Sequence, residues 1–373
     1  MNWESKRILF RVDSSPRIGL GHLMRCLTLA TAWRAAGADC HFAMYPHAGH
    51  GGDLVTRAGH MLWLLDTPAS KGSEAPLNNR DSGIYADWLG LPMDSDADAI
   101  CSILSRLGEV QYVVLDHYGI DHHWESAVRA AGPRLLVIDD LANRRHDCDF
   151  LLDQNFGRSP GDYDGLVGNA CKVLAGLEFS LLRPQFLHSR KLVSRRRNKF
   201  SLNRLLINLG GADVDNVTSA VLAELATIPE LAAVDITVVL GSASIWQNEV
   251  KALASSLPLK VQVQVDVADM ASLMCESDAA IGAAGSSSWE RCCLGLPTLM
   301  IVLAENQRQV AMALDQAGIA YLVGDGEVLG IAFGRFIHDC LHSPEKLQDM
   351  SARASGLVDG LGCSRVLEAL TSV

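Results

Sequence analysis

A histidine stands where a glycine-rich turn becomes a helix, in the segment Arg11-Val12-Asp13-Ser14-Ser15-Pro16-Arg17-Ile18-Gly19-Leu20-Gly21-His22-Leu23-Met24-Arg25-Cys26. An imidazole there feels the positive end of the helix macrodipole, which opposes the imidazolium and leaves a neutral acceptor, the form a general base needs. Asp13, on the turn before it, is placed to orient the ring, although a turn-stabilising aspartate is the simpler reading of that residue alone. A lone histidine is more often structural than catalytic, and it is the glycine context that favours catalysis here.

A second group of residues has the makings of an anion site. Gly282-Ala283-Ala284-Gly285-Ser286-Ser287-Ser288-Trp289-Glu290-Arg291 follows Asp269-Met270-Ala271 and precedes Gly295-Leu296-Pro297. Small residues at a strand end let a helix N-terminus approach a ligand, and its free amides with the serine hydroxyls satisfy a diphosphate. Glu290, one turn into that helix, can accept both hydroxyls of a ribose. The competing reading is a capping box over Ser286 to Glu290 with nothing bound. Amides at Gly285 to Ser287, and at Gly210-Gly211, would stabilise a leaving diphosphate without a metal. The pattern Asp213-Val214-Asp215 resembles a metal-holding D-x-D, but it recurs at Asp94 to Asp98, Asp147 to Asp149 and Asp162 to Asp164, too often to signal an ion. His41, His47, His50 and His60 fit no short ligand spacing and read as solvated loop residues, so neither metal nor cofactor is expected.

These side chains need strands to carry them. Short apolar runs alternate with helical patterns, the signature of parallel sheets covered by helices. Strands are expected at Ile8 to Val12, Asp39 to Met44, Met61 to Leu65, Tyr112 to Asp116, Leu135 to Asp139 and Phe150 to Asp153. A further set is expected at Leu205 to Leu209, Asp235 to Leu240, Lys260 to Val265, Ala279 to Ile281 and Thr298 to Val302. The polar stretch Pro68 to Asp98 reads as a long loop with one short helix near Ala86 to Leu89. The basic run Ser194 to Lys199 reads as a solvated linker, placing a domain boundary nearby: residues 1–190 form one domain and 191–373 the other. Helices at Pro344 to Leu357 and Ser364 to Leu370 finish one of the two. Two glycine turns after strands, one per half, point to two Rossmann-like domains facing a cleft.

A chain of 373 residues, nearly half hydrophobic, fills two ordinary cores, and its net charge of −11 disfavours nonspecific nucleic-acid binding. The expected partner is therefore a small molecule, with no nucleic acid and no membrane, bound by a monomer or weak dimer. Ten cysteines without a C-x-x-C indicate neither a zinc site nor a disulfide framework, which fits the cytoplasm. A polar start leading directly into a strand gives no signal peptide, and no apolar run spans a bilayer.

The stretch Gly282 to Pro297, with Asp269-Met270-Ala271 upstream and Glu305-Asn306-Gln307 downstream, resembles the UDP-binding domain of MurG-like GT-B glycosyltransferases. The N-terminal R-x-D-x-S-x-x-I-G-x-G-H-x-M-R-C pattern resembles the PseG family, hydrolases of UDP-2,4-diacetamido-2,4,6-trideoxy-β-L-altropyranose in pseudaminic acid synthesis, which serves flagellin or surface glycans. Asp116-His117-Tyr118-Gly119, Ile138-Asp139-Asp140-Leu141-Ala142, Asp153-Gln154-Asn155, Leu181-Leu182-Arg183-Pro184 and Asn208-Leu209-Gly210-Gly211-Ala212-Asp213 extend the likeness over nearly the whole chain. Spore-coat polysaccharide proteins share part of it.

The resemblance implies an α/β GT-B fold and removal of UDP by water attack at the anomeric carbon, with inversion. His22 would be the base, with Asp13 and Tyr118 as catalytic partners, although rim packing explains Tyr118 as well. It also implies substrate contacts from Arg11, Gly21, Arg25, Asn306 and Gln307. UDP contacts would come from Gly210, Gly211, Val267, Gly285, Ser286, Ser287 and Glu290. The main alternative is a glycosyltransferase that passes the sugar to an alcohol.

Overall fold

The computed structural model describes residues 3–66, 83–193, 200–242, 244–324 and 328–371. It divides into two compact units, Met1–Leu181 with Gly362–Val373, and Leu182–Leu361.

The first unit is built on seven strands, β1 (Arg7–Val12), β2 (Asp39–Met44), β3 (Met61–Leu64), β4 (Tyr112–Asp116), β5 (Arg134–Ile138), β6 (Phe150–Asp153) and β7 (Lys172–Ala175). All pair in parallel, in the order β3-β2-β1-β4-β5-β6-β7. Helices α1 (Gly21–Ala35), α2 (Gly52–Arg57), α3 (Met93–Leu107) and α4 (His122–Arg129) complete most of this unit. Such strands are covered on both faces, so β1, β4 and β6 are buried almost end to end. One face packs Phe10, Phe42, Trp33 and Tyr112; the other packs Leu9, Val113, Ile100 and Trp124. The strand order reverses between β1 and β4, and the crevice beyond their carboxyl ends is where open sheets of this kind bind ligands.

The second unit holds α5 (Pro184–Val193), β8 (Arg204–Asn208), α6 (Val217–Leu225), β9 (Asp235–Leu240), α7 (Gln247–Ser256), β10 (Lys260–Val265), α8 (Met270–Glu276) and β11 (Ala279–Ala283). It continues with α9 (Ser287–Cys293), β12 (Thr298–Ile301), α10 (Arg308–Gln316), β13 (Tyr321–Leu322), α11 (Leu329–His342) and α12 (Pro344–Leu357). Its parallel sheet runs β10-β9-β8-β11-β12-β13 and reverses between β8 and β11. The chain then returns to the first unit as α13 (Gly362–Thr371).

Three expectations need correction. The boundary falls at Leu181, not at 190, because α5 packs on α8 and α9, with Arg190 Nη1 donating to the carbonyls of Cys293 and Val358. The last helix belongs to the first unit: Val366 and Leu370 enter the core beside Trp33, and Tyr112 Oη donates to the Leu370 carbonyl. The expected loop Pro68 to Asp98 ends early, since α3 begins at Met93, while the short helix expected near Ala86 to Leu89 is present as a 3-10 turn over Gly83–Trp88. Acidic Asp94 and Asp96 in that helix's first turn suit its positive end, which a reading of the string as polar loop overlooks. The rest of that stretch, residues 68–82, and the basic run 194–199 lie outside the described residues. Strands β7 and β13 were not expected; each is short and sits at a sheet edge.

Candidate active site

Beyond β1 the chain makes a tight turn, closed by the Gly19 amide on the Ser15 carbonyl, with Gly19 at φ +84° where an L side chain is strained. Helix α1 then starts at Gly21, and its N-cap Leu20 gives no side-chain acceptor. The turn and helix set the His22 ring over the end of β4. His22 Nδ1 lies 2.6 Å from Asp116 Oδ1. A carboxylate only accepts, so Nδ1 carries the proton toward Asp116, and in the neutral ring Nε2 keeps its lone pair. Burial alone would push the Asp116 carboxyl up, but the Arg25 guanidinium and His22 beside it hold it well below the usual carboxylate range. It therefore stays ionised as a permanent acceptor for Nδ1–H.

The partner expected for His22 was Asp13, and the structure replaces it with Asp116. Asp13 is fully buried and accepts both Nη1 and Nη2 of Arg11, at 2.6 and 2.9 Å, and the Tyr45 amide at 2.7 Å. It serves the interior and not the imidazole. Arg11 is likewise no substrate ligand: its side chain has no exposed surface, and it bridges Asp13 to Asp96 on α3. Residues on a central strand point into one of two covered faces, and Arg11 points into one of them.

Arg25, one turn after His22, is committed in the same way. Nε and Nη2 donate to Asp116 at 2.5 and 2.7 Å, and Nη1 donates to Asp140 at 2.5 Å. Removing it would leave two carboxylates facing each other without a counter-charge, at a cost of about 3 to 5 kcal/mol. Arg25 is thus a strut for His22 and not a free cation for a ligand. Tyr118 lies beside His22: its hydroxyl donates to Asp140 at 2.6 Å, and its ring meets the imidazole edge-on, centroids 4.5 Å apart. Gly21, at the first position of α1, is exposed beside His22.

In the second unit the glycine turns lie at the β8/β11 reversal. Gly210 has φ +92° and open space where a side chain would stand, while Gly211 packs under Gly241, whose missing Cβ would fall 2.6 Å from the Gly211 carbonyl oxygen. Gly285 and Ser286 precede α9, half-buried and exposed respectively. Gln307 leans toward them, its Nε2 3.5 Å from the place of a Gly285 Cβ, and its Oε1 accepts from the Leu303 amide. Asn306 precedes it in the same short turn. Val267 is half-buried just past Asp266, which turns at φ +52°.

The capping box drops out as an account of Glu290, which pairs instead with Arg183 at 3.1 Å through one oxygen. Burial pushes the Glu290 carboxyl up, and Arg183 offsets part of that rise. Gly282 is small for a reason other than ligand approach: a Cβ there would lie 2.5 Å from the Arg291 guanidinium. Arg291 is buried and donates to the Ala283 carbonyl and to the Ser287 and Ser288 hydroxyls, tying α9 to β11.

Asp213 is committed to the protein, accepting the Val217 and Thr218 amides at the start of α6 at 2.9 and 3.1 Å. The expected solvation of the four loop histidines fails for His41 and His60, which are buried. His41 lies in β2 and accepts from Trp63 Nε1. Among the described residues one trio groups as metal ligands might, Asp121, His122 and His123, but Asp121 caps α4 through the His123 amide.

Comparison with known proteins adds an independent line. Residues 205–361 match the glycosyltransferase family 28 C-terminal domain. Over 317 residues the chain is 26% identical to a UDP-2,4-diacetamido-2,4,6-trideoxy-β-L-altropyranose hydrolase of Campylobacter jejuni, covering 84% of this chain and 97% of that protein. A Bacillus subtilis spore coat polysaccharide biosynthesis protein, SpsG, is 30% identical over 158 residues, 42% of this chain and 45% of its own. The crystal structure of Acinetobacter baumannii MurG superposes with a TM-score of 0.67 at 15% identity, covering 99% of this chain and all of that one. The chain has the GT-B fold, and its residues 205–361 are similar to the family 28 C-terminal domain. The PseG likeness read from the motifs thus extends over most of the sequence, and the GT-B fold holds for both units. Among the described residues of this GT-B chain, no helix is long and apolar enough to cross a membrane.

Proposed function

We propose that the protein is a UDP-sugar hydrolase that releases UDP from UDP-2,4-diacetamido-2,4,6-trideoxy-β-L-altrose, in pseudaminic acid synthesis. One observation carries the chemistry: an ionised, buried Asp116 fixes the His22 tautomer that leaves Nε2 as a base. Nε2 takes a proton from water as the water oxygen bonds to the anomeric carbon and the bond from that carbon to the UDP oxygen breaks. Tyr118 packs against the imidazole and limits its rotation. Retention would need a carboxylate nucleophile, and of the carboxylates nearest His22, Asp116 is engaged by Arg25 and His22, while Asp140 is held at Oδ2 by Arg25 and Tyr118 with its Oδ1 buried. A single displacement by water therefore inverts the sugar.

On this reading UDP is held by the second unit. The amides at Gly285 to Ser287 and Gly210-Gly211 face the diphosphate, with Val267, Asn306 and Gln307 lining the nucleotide and sugar. The Glu290 oxygen not taken by Arg183 accepts from the ribose. The family 28 domain favours a second reading, transfer of the sugar to an alcohol. Incubation with a panel of UDP-diacetamido sugars, with and without alcohol acceptors, separates them. UDP and free sugar formed at full rate in water alone support hydrolysis, and release that depends on an acceptor overturns it.

A further inference from the structure

Next to His22 the 3-10 turn Gly83–Trp88 contributes two aromatic rings that no step above uses. The Trp88 ring lies 6.1 Å from the imidazole at 80°, and 5.7 Å from Tyr118 at 25°, close to parallel. Tyr85 closes the group at 4.7 Å from Trp88 and 5.1 Å from Tyr118. Aromatic residues that only fill the core here, such as Trp33 and Trp124, are fully buried, whereas Tyr85 and Trp88 keep part of their surface open beside a base that is itself 12% exposed.

The turn is seated there by close contacts that only glycine permits. A Cβ on Gly119, directly after Tyr118, would fall 2.6 Å from the Tyr85 carbonyl oxygen, and one on Gly90 would fall 2.2 Å from the Tyr45 ring. Leu89 and Leu91 anchor the following residues in the core with Ile100 and Trp124.

The polar groups around the base are largely committed to one another, Arg25 to Asp116 and Asp140 and the Tyr118 hydroxyl to Asp140 Oδ2, with the buried Asp140 Oδ1 the one unpartnered atom among these side chains. A hydroxyl-rich sugar would find few free partners here, while ring faces remain. We infer that Tyr85 and Trp88, with Tyr118, form an aromatic wall that takes the apolar side of a deoxy, N-acylated sugar and selects it over hydroxylated hexoses. The inference rests on the UDP-sugar reading above and names the residues that choose the sugar. Sites built from apolar contact discriminate modestly, about 10- to 200-fold for a group the size of a methylene.

The test is titration calorimetry with UDP and with the C-glycosidic phosphonate analogues of a UDP-diacetamido-trideoxyhexose and of UDP-N-acetylglucosamine, which the protein binds without cleaving. The wild-type protein should bind the trideoxy analogue at least tenfold more tightly than the N-acetylglucosamine analogue. Trp88→Ala should abolish that preference with UDP affinity within twofold of wild type, and Trp88→Phe should keep most of it. Trp88→Leu, which retains apolar bulk but no ring, should lose it too and serves if the alanine variant melts early. A preference that survives in the alanine or leucine variant, or is absent from the wild type, overturns the wall. Absence of UDP release from the cleavable sugar nucleotide, by a wild type that shows the preference, would instead count against hydrolysis alone.

Discussion

Asp116 decides what His22 can do. Replacing it by Asn keeps the shape but removes the obligatory acceptor at Nδ1, so the imidazole can present Nε2–H and lose its basic nitrogen. Asp116→Asn should lower kcat about a hundredfold and leave KM for the UDP-sugar within a few-fold, as steady-state kinetics would show; a near-normal kcat would remove the aspartate from the mechanism. His22 itself was legible, because the change from glycine turn to helix is written in adjacent residues. Its partner was not. Asp116 lies 94 residues away, and only the pairing of β1 with β4 brings it near, so a local reading selected Asp13. Arg11 and Arg25 were misread for a related reason: a motif shows that an arginine is present but not whether carboxylates already surround it.

On the proposed reading nucleotide binding turns on helix α9, and Glu290 is its test. Loss of a charged acceptor for ribose hydroxyls should weaken UDP by about 1 to 3 kcal/mol in Glu290→Ala, read by calorimetry. Unchanged affinity would reduce Glu290 to a partner of Arg183. The central strands were legible nearly to the residue, since strands buried on both faces read as apolar runs. Edge strands β7 and β13 and the first turn of α3 carry no such run. The bare face of Gly282 also looked like a ligand approach, when the buried guanidinium of Arg291, nine residues on, occupies it.

At the scale of the molecule, the sequence indicated two parallel-sheet units but not that the chain's last helix returns to the first. Amphipathic spacing shows that α13 has a face to bury; which sheet buries it is settled by contacts such as that of Tyr112 with Leu370. Global stability carries its own signature. Burial, with Asp140 nearby, pushes the Asp153 carboxyl up to about 7. Its folded form therefore binds a proton that the unfolded chain has lost between about pH 4 and 7, so stability from this group declines as pH rises through that window. Asp13 and Asp116, held low, act oppositely and lose their contribution only in acid. The melting temperature of Asp153→Asn minus that of wild type should climb from pH 4 to 7 and level off above. A flat difference would contradict the raised carboxyl. The central claim, water attack at carbon, is tested most directly by turnover in oxygen-18 water followed by mass spectrometry of both products. Attack at carbon places one label on the anomeric hydroxyl of the sugar and none in UDP. Label in UDP, or UMP released with a sugar phosphate, would contradict it.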